Sequence, residues 1–247
     1  MINSIKLIYI IIIFLLTVPV LASSNLDTDK DGITNYDELN IYKTDTNNPD
    51  TDGDGYSDWL ELNSGYSPHN PLKIKLEDND FDNDGLNDRM ELNFYTDLSE
   101  PDTDGDGYSD GMEIQYGYDP LSKGVQKMAK RIEVSTKNQE LSYFLNGIRV
   151  QKMVISSGVG NSTPMGTFYI DDKKEKAWSS YGLWMPYWLS FKNGIYGIHE
   201  LPIWPSGKQE GEDHLGTPAS HGCVRLGEND AKKLFKWTDL GTPVIIY

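Results

Sequence analysis

The chain has 247 residues carrying 38 acidic against 22 basic side chains, a net charge of −16, and one cysteine. Scattered basic residues under so negative a balance exclude nucleic-acid binding, which depends on a clustered positive face. A lone cysteine excludes an intramolecular disulfide, so it is either a buried small hydrophobe or a free, reactive thiol.

Met1 to Lys6 followed by the apolar run Leu7 to Leu21 has the pattern of an export signal, and Val20-Leu21-Ala22 supplies a cleavage site before Ser23. An uncleaved anchor is the alternative, because the run approaches a short membrane span. No cysteine follows it to carry a lipid. Both versions place the chain outside the cytoplasm, in the wall, the periplasm or the extracellular space, with membrane contact only if residues 1–22 are retained.

Residues 23–127 form a repeat. Four windows begin at Asp27, Asp50, Asp80 and Asp102. They read Asp27, Asp29, Asp31, Gly32, Glu38; Asp50, Asp52, Asp54, Gly55, Glu61; Asp80, Asp82, Asp84, Gly85, Glu91; and Asp102, Asp104, Asp106, Gly107, Glu113. Carboxylates at positions 1, 3 and 5, glycine at 6 and glutamate at 12 are the calcium-loop arrangement. Position 7 offers a backbone carbonyl, here from Ile33, Tyr56, Leu86 and Tyr108, and position 9 is Asn35, Asp58, Asp88 or Asp110. Magnesium suits such loops less, since it keeps its waters and prefers a smaller octahedral site. A hydrated acidic linker would account for one such window; four of four argue for structural Ca2+. The segments after the glutamates are short and soon broken by proline or glycine, which argues against paired EF-hands. The windows resemble bacterial thrombospondin type 3 or related EF-loop repeats, a resemblance that implies an extended module in which the ion stands in for a hydrophobic core. With 26 acidic against 7 basic residues over 23–127, the module is expected to repel itself without calcium.

Residues 128–247 are nearly neutral, with 14 basic against 12 acidic residues, and are expected to fold without calcium. Ile132 to Val134 and Leu141 to Leu145 alternate apolar and polar residues, with turn signals at Asn146-Gly147 and Gly158 to Pro164, a β-meander pattern. Trp178, Trp184, Tyr187, Trp188 and Trp204 cluster before and after His199 and suit core or lid positions better than glycan stacking. Gly194 to His199 reads as a short buried strand whose end projects a histidine toward a cleft. Of the other histidines, His69 sits in a turn expected to be solvated, and His214 in a polar loop at the rim. Ser220-His221-Gly222-Cys223-Val224-Arg225 holds the cysteine. Its glycine frees the backbone to aim amides at an oxyanion, and its polar neighbours make a poor wall for a buried thiol. Glu228 to Trp237 is an amphipathic helix with Ala231, Leu234, Phe235 and Trp237 inward.

In that order, Arg131-Ile-Glu-Val-Ser with Gln139-Glu-Leu-Ser-Tyr, Ser156-Ser-Gly158, Thr163-Pro-Met-Gly166, His199, Ser220 to Arg225 and the closing Gly241 to Tyr247 resemble the catalytic domain of the L,D-transpeptidases, the YkuD type, over about half the chain. The resemblance implies a mostly β fold, a sandwich with a short C-terminal helix. It implies Cys223 as nucleophile, His199 as its base with a backbone carbonyl as third member, and His221 in the wall around the thiol. Amides of Gly222, Cys223 and His221 would form the oxyanion hole, Ser220 belongs to the motif, and Arg225 would hold the loop or a substrate carboxylate. No cofactor is implied for catalysis. Glu200 departs from the glycine usual after the histidine, and the loop to the cysteine is long, which bears on the cap over the acceptor site. The implied partners are peptidoglycan stem peptides, with other wall components for the repeats. The implied reaction is acyl transfer with release of D-alanine, joining third residues of two stems. Water as acceptor would make the site an L,D-carboxypeptidase, and a calcium-dependent adhesion protein with a non-catalytic wall-binding domain is the alternative of another class.

Overall fold

The computed structural model describes residues 25–211 and 213–247; the expected export signal lies outside the described residues. Among these, no helix is long and apolar enough to cross a membrane.

Each acidic loop runs into a short helix. These are α1 (Asn35–Asp37, continued as a π turn Glu38–Tyr42), α2 (Asp58–Ser64), α3 (Asp88–Phe94) and α4 (Asp110–Tyr116). Their starts are chemically defined. Thr34, Ser57, Asn87 and Ser109 accept a backbone N–H from the first turn, the bond that caps a helix. Position 9 proves to be a latch. Asp58 accepts the backbone N–H and hydroxyl of Thr51 at 2.9 and 2.7 Å, Asp110 does the same with Thr103, and Asn35 pairs with Thr28. The four loops form two copies of a two-loop unit. In the odd loops position 7 is a buried aliphatic, Ile33 or Leu86, and in the even loops an exposed tyrosine, Tyr56 or Tyr108. The bridges Tyr66 to Lys75 and Tyr118 to Lys127 close the two units alike. His69, expected in solvent, is partly buried, stacks on Phe81 at 4.2 Å and bonds the carbonyl of Tyr42 at 2.7 Å.

The carboxy-terminal half is one sheet of nine strands in the order β4-β9-β1-β2-β3-β8-β7-β6-β5. The strands are β1 (Lys130–Ser135), β2 (Glu140–Leu145), β3 (Ile148–Ser156), β4 (Gly166–Tyr169), β5 (Asp172–Trp178), β6 (Trp184–Lys192), β7 (Tyr196–Glu200), β8 (Val224–Leu226) and β9 (Pro243–Ile246). The meander holds for β1 to β3 only. β4 crosses to the far edge and pairs with β9, while β3 takes β8 as its other neighbour. The layers of the expected sandwich come from this one sheet curling on itself, so that Phe168 of β4 meets Phe191 of β6 with ring centroids 5.4 Å apart.

Helix α5 (Glu228–Trp237) lies on β6, β7 and β8 and buries Ala231, Leu234 and Trp237, with Phe235 half-buried. Lys130 donates to the Trp237 carbonyl at 2.6 Å and Lys173 to the Phe235 and Thr238 carbonyls. Two cations thus sit where the helix dipole is negative. The two halves are not separate cores. Leu86, Phe94 and Ile114 of the repeats lie in one apolar cluster with Ile132, Tyr143 and Trp237.

Candidate active site and candidate metal loops

Strand β7 runs parallel to β8, with His199 opposite Arg225 and Ile198 opposite Val224. Side chains alternate along a strand. Ile198 and Val224 therefore enter the core, and His199 and Arg225 face the other way, on the side reached by Cys223 two residues before Arg225. His199, Cys223, Arg225, Ser220 and His221 border one cavity of about 430 Å³, within the size range of small-molecule sites. Its walls include Trp178, Tyr181, Trp188 and Tyr196. Trp188 is core, 3 % exposed, whereas Trp178 and Trp204 are exposed. A Cβ on Gly197 would stand 2.7 Å from the Trp188 ring, so this glycine lets the tryptophan close in beneath the site. The Trp188 ring lies 5.7 Å from that of His199.

His199 is 2 % exposed and its Nδ1 donates to the backbone carbonyl of Glu200 at 2.5 Å. That bond fixes the tautomer and leaves Nε2 with its lone pair. Burial pushes the imidazole pKa down to about 4, against the Glu200 bond, and the Arg225 charge adds to the fall. Cys223 is half-buried. Burial pushes its thiol up, opposed by the Gly197 amide and Arg225. Both shifts favour the uncharged forms of the two groups that share this cavity.

The cysteine loop is held from both sides. Ser220 Oγ accepts the Gly222 N–H at 3.0 Å and donates to the Cys223 carbonyl at 2.6 Å. The Gly222 amide, expected in an oxyanion hole, is therefore engaged inside the loop. Gly222 has φ 132°, and a Cβ there would fall 2.5 Å from the Tyr196 ring, so only glycine fits. His221 is exposed and stacks on Tyr181 at 4.3 Å, in the wall of the cavity.

Several supports carry no local signal. Ala219 and Ser220 donate to the Ser157 carbonyl, and Gln139, 4 % exposed, clasps the Ser157 amide and hydroxyl at 2.8 and 2.7 Å. Thr163 accepts the Gly158 N–H at 2.7 Å. Gln139, Ser156 to Gly158 and Thr163 stand out in the sequence only by resemblance. Glu200 is buried, its side chain accepts from Gln209 at 2.8 Å, and Arg225 meets Glu210 at 3.6 Å and His214 at 3.4 Å. Both contacts fasten the segment that follows β7, which favours the loop-holding role of Arg225 and puts His214 beside it.

In the repeats, the three aspartates of each loop bring one carboxylate oxygen apiece within 4.8 Å of one another: Asp27, Asp29, Asp31; Asp50, Asp52, Asp54; Asp80, Asp82, Asp84; and Asp102, Asp104, Asp106. Glu38, Glu61, Glu91 and Glu113 are buried, and each keeps at least one carboxylate oxygen without a hydrogen-bond partner, as do Asp29, Asp52, Asp80, Asp82 and Asp104. Burial, then the neighbouring aspartates, push the glutamates up to about 7, 8, 9 and 7 in chain order. Buried carboxylates without donors are costly unless a cation sits among them. All-oxygen donor sets of this kind fit calcium.

Comparison with known proteins agrees with both halves. Residues 129–246 match the L,D-transpeptidase catalytic domain (YkuD), and residues 27–49, 50–65 and 102–123 match the bacterial TSP3 repeat. Over 125 residues, 47% of this chain, the sequence is 35% identical to YciB of Bacillus subtilis, a protein assigned as an L,D-transpeptidase, and it is 29% identical over 116 residues to YkuD of the same organism. The chain spans 64% of the length of each of these relatives. Among solved structures, an L,D-transpeptidase from Stackebrandtia nassauensis is 31% identical, with 49% of this chain and 56% of that one covered and a TM-score of 0.40. One from Mycobacterium smegmatis is 19% identical, with 49% and 60% covered and a TM-score of 0.43. An L,D-transpeptidase catalytic-domain match is thus found at residues 129–246, with bacterial TSP3 repeats found before it.

Proposed function

We propose that the protein is an exported, cysteine-dependent L,D-transpeptidase that cross-links peptidoglycan stem peptides between third residues, with residues 128–247 as the catalytic unit and 23–127 as a calcium-stabilised module contacting the wall. The observation that carries it is Cys223 in one cavity with an imidazole whose Nδ1 is bound to a backbone carbonyl. In this reading Cys223 Sγ attacks the carbonyl of the third residue of a donor stem while its proton passes to His199 Nε2. The amides of His221 and Cys223 receive the oxyanion. The imidazolium then protonates the departing D-alanine amine, leaving a thioester. An acceptor amine attacks the thioester, gives its proton back to His199, and the new peptide bond releases the thiol. Water in the acceptor's place gives the carboxypeptidase outcome.

Retention of both the thiol and the imidazole favours an enzyme over a binding module. Incubation with a carbapenem-type β-lactam should add its mass once per chain, on the Cys223 peptide. A folded sample that gains no mass would support the non-catalytic alternative.

The imidazole also sets a pH profile. The base must be neutral to accept the thiol proton, so its depressed pKa moves the acid limb of acylation down toward pH 4, from the ordinary value of 6.5. Acylation followed by mass spectrometry should stay nearly flat from about pH 5.5 to 7.5. A half-maximal point near 6.5 would show an exposed, ordinary histidine as the base.

A further inference from the structure

The four acidic loops look alike in sequence, but their places in the fold differ. The repeat match passes over the third, Asp80 to Glu91. Its three aspartates converge like the others. Glu91 is 0 % exposed and neither of its carboxylate oxygens has a partner, while Asp80 Oδ1 and Asp82 Oδ2 are likewise buried and unpartnered. The adjacent Asp88 shows that donors are at hand when needed: it accepts from Ser67, Asn79 and the Phe81 amide. The unpaired oxygens are those that would face an ion.

The third loop also holds the two halves together. Leu86, at its position 7, is 6 % exposed and lies in the apolar cluster that includes Ile132 and Leu145. The helix that ends the loop contributes Phe94 to the same cluster, packs Met90 against it, and contacts β3. Asp84 Oδ2 accepts the Gly111 N–H at 2.5 Å, and a Cβ on Gly111 would stand 2.7 Å from the Asp84 carbonyl. The start of α4, which carries Ile114 into the cluster, is thereby seated on the loop. The first loop makes the equivalent bond, Asp31 to the Trp59 amide at 3.1 Å, but its Ile33 lies outside that cluster.

We propose that the Asp80–Glu91 loop binds a calcium ion that fastens the repeats onto the β2–β3–α5 flank of the catalytic half, so that its occupancy sets the stability of the domain bearing Cys223 and His199. The proposal rests on the calcium reading of the loops and departs from the expected independence of the two halves. With the ion in place Leu86 and Phe94 are held in the shared core. Without it the unpartnered oxygens of Asp80, Asp82 and Glu91 are left buried with neither donor nor cation, and the loop opens and withdraws Leu86 and Phe94.

The test compares Asp82→Asn with Asp29→Asn in the full chain, reading bound calcium by equilibrium dialysis and unfolding by tryptophan emission. Five of the six tryptophans lie in residues 128–247, so emission reports the catalytic half. Each variant should lose one bound calcium, but only Asp82→Asn should lower the midpoint in calcium, by about 5 °C or more. Equal midpoints, or full calcium binding by Asp82→Asn, would overturn the proposal while leaving the calcium reading intact. No calcium bound by the wild type would overturn both. Should Asp82→Asn fail to fold, hydrogen exchange on the wild type decides: chelation should deprotect β3 and α5, and unchanged protection there counts against the coupling.

Discussion

Cys223→Ala should abolish acyl-enzyme formation with a β-lactam and D-alanine release from a stem tetrapeptide, with circular dichroism unchanged. The thiol is only half-buried and alanine fits the same backbone, so the variant loses a nucleophile rather than a packing contact. Appreciable turnover in Cys223→Ala would remove the thiol from the reaction. His199→Ala should slow acylation by about a hundredfold or more, the usual range for loss of a general base. Its imidazole is 2 % exposed and bonded to the Glu200 carbonyl, so its removal leaves a gap and an unpaired acceptor, and the fold must be checked beside the rate. His221→Ala, which unstacks an exposed ring from Tyr181, should be milder. The opposite order would exchange the roles of the two histidines.

Chelation at pH 8 should expand residues 23–127, with loss of the α2 to α4 helical signal and a larger radius of gyration by X-ray scattering. The cause is the set of buried glutamates. Their folded values near 7 to 9 lie above the ordinary 4.5, so the calcium-free folded state binds more protons than the unfolded chain in that window. Stability of the chelated protein should therefore fall as pH rises from about 4.5 to about 9. Chelation at pH 5 should accordingly expand the module less than at pH 8, and saturating calcium should flatten the dependence. Unchanged dimensions at pH 8 would overturn the calcium role.

Much of this protein was legible residue by residue. The four acidic loops are visible because ion ligands must fall at fixed short spacings along one turn, and they converge as their spacing requires. The α5 bounds and inner face follow from a 3.6-residue period, and the β1 to β3 hairpins from alternation and the Asn146-Gly147 turn. The Ser220 to Arg225 motif marks the cysteine because a tight loop needs its serine and glycine in immediate sequence.

What the tertiary structure decided was every relation between segments far apart in the chain. Only the parallel pairing of β7 with β8 brings His199 to the side of Cys223, and only burial there with Arg225 nearby lowers the imidazole pKa below its ordinary value. Gln139 clasping Ser157 and Ser220 capturing the Gly222 amide are similar cases. So is the passage of β4 to the far edge. Charge and composition separate the acidic half from the neutral one. Yet Leu86, Phe94 and Ile114 join the core of the other half, because apolar burial depends on which surfaces meet in space and not on their distance along the sequence.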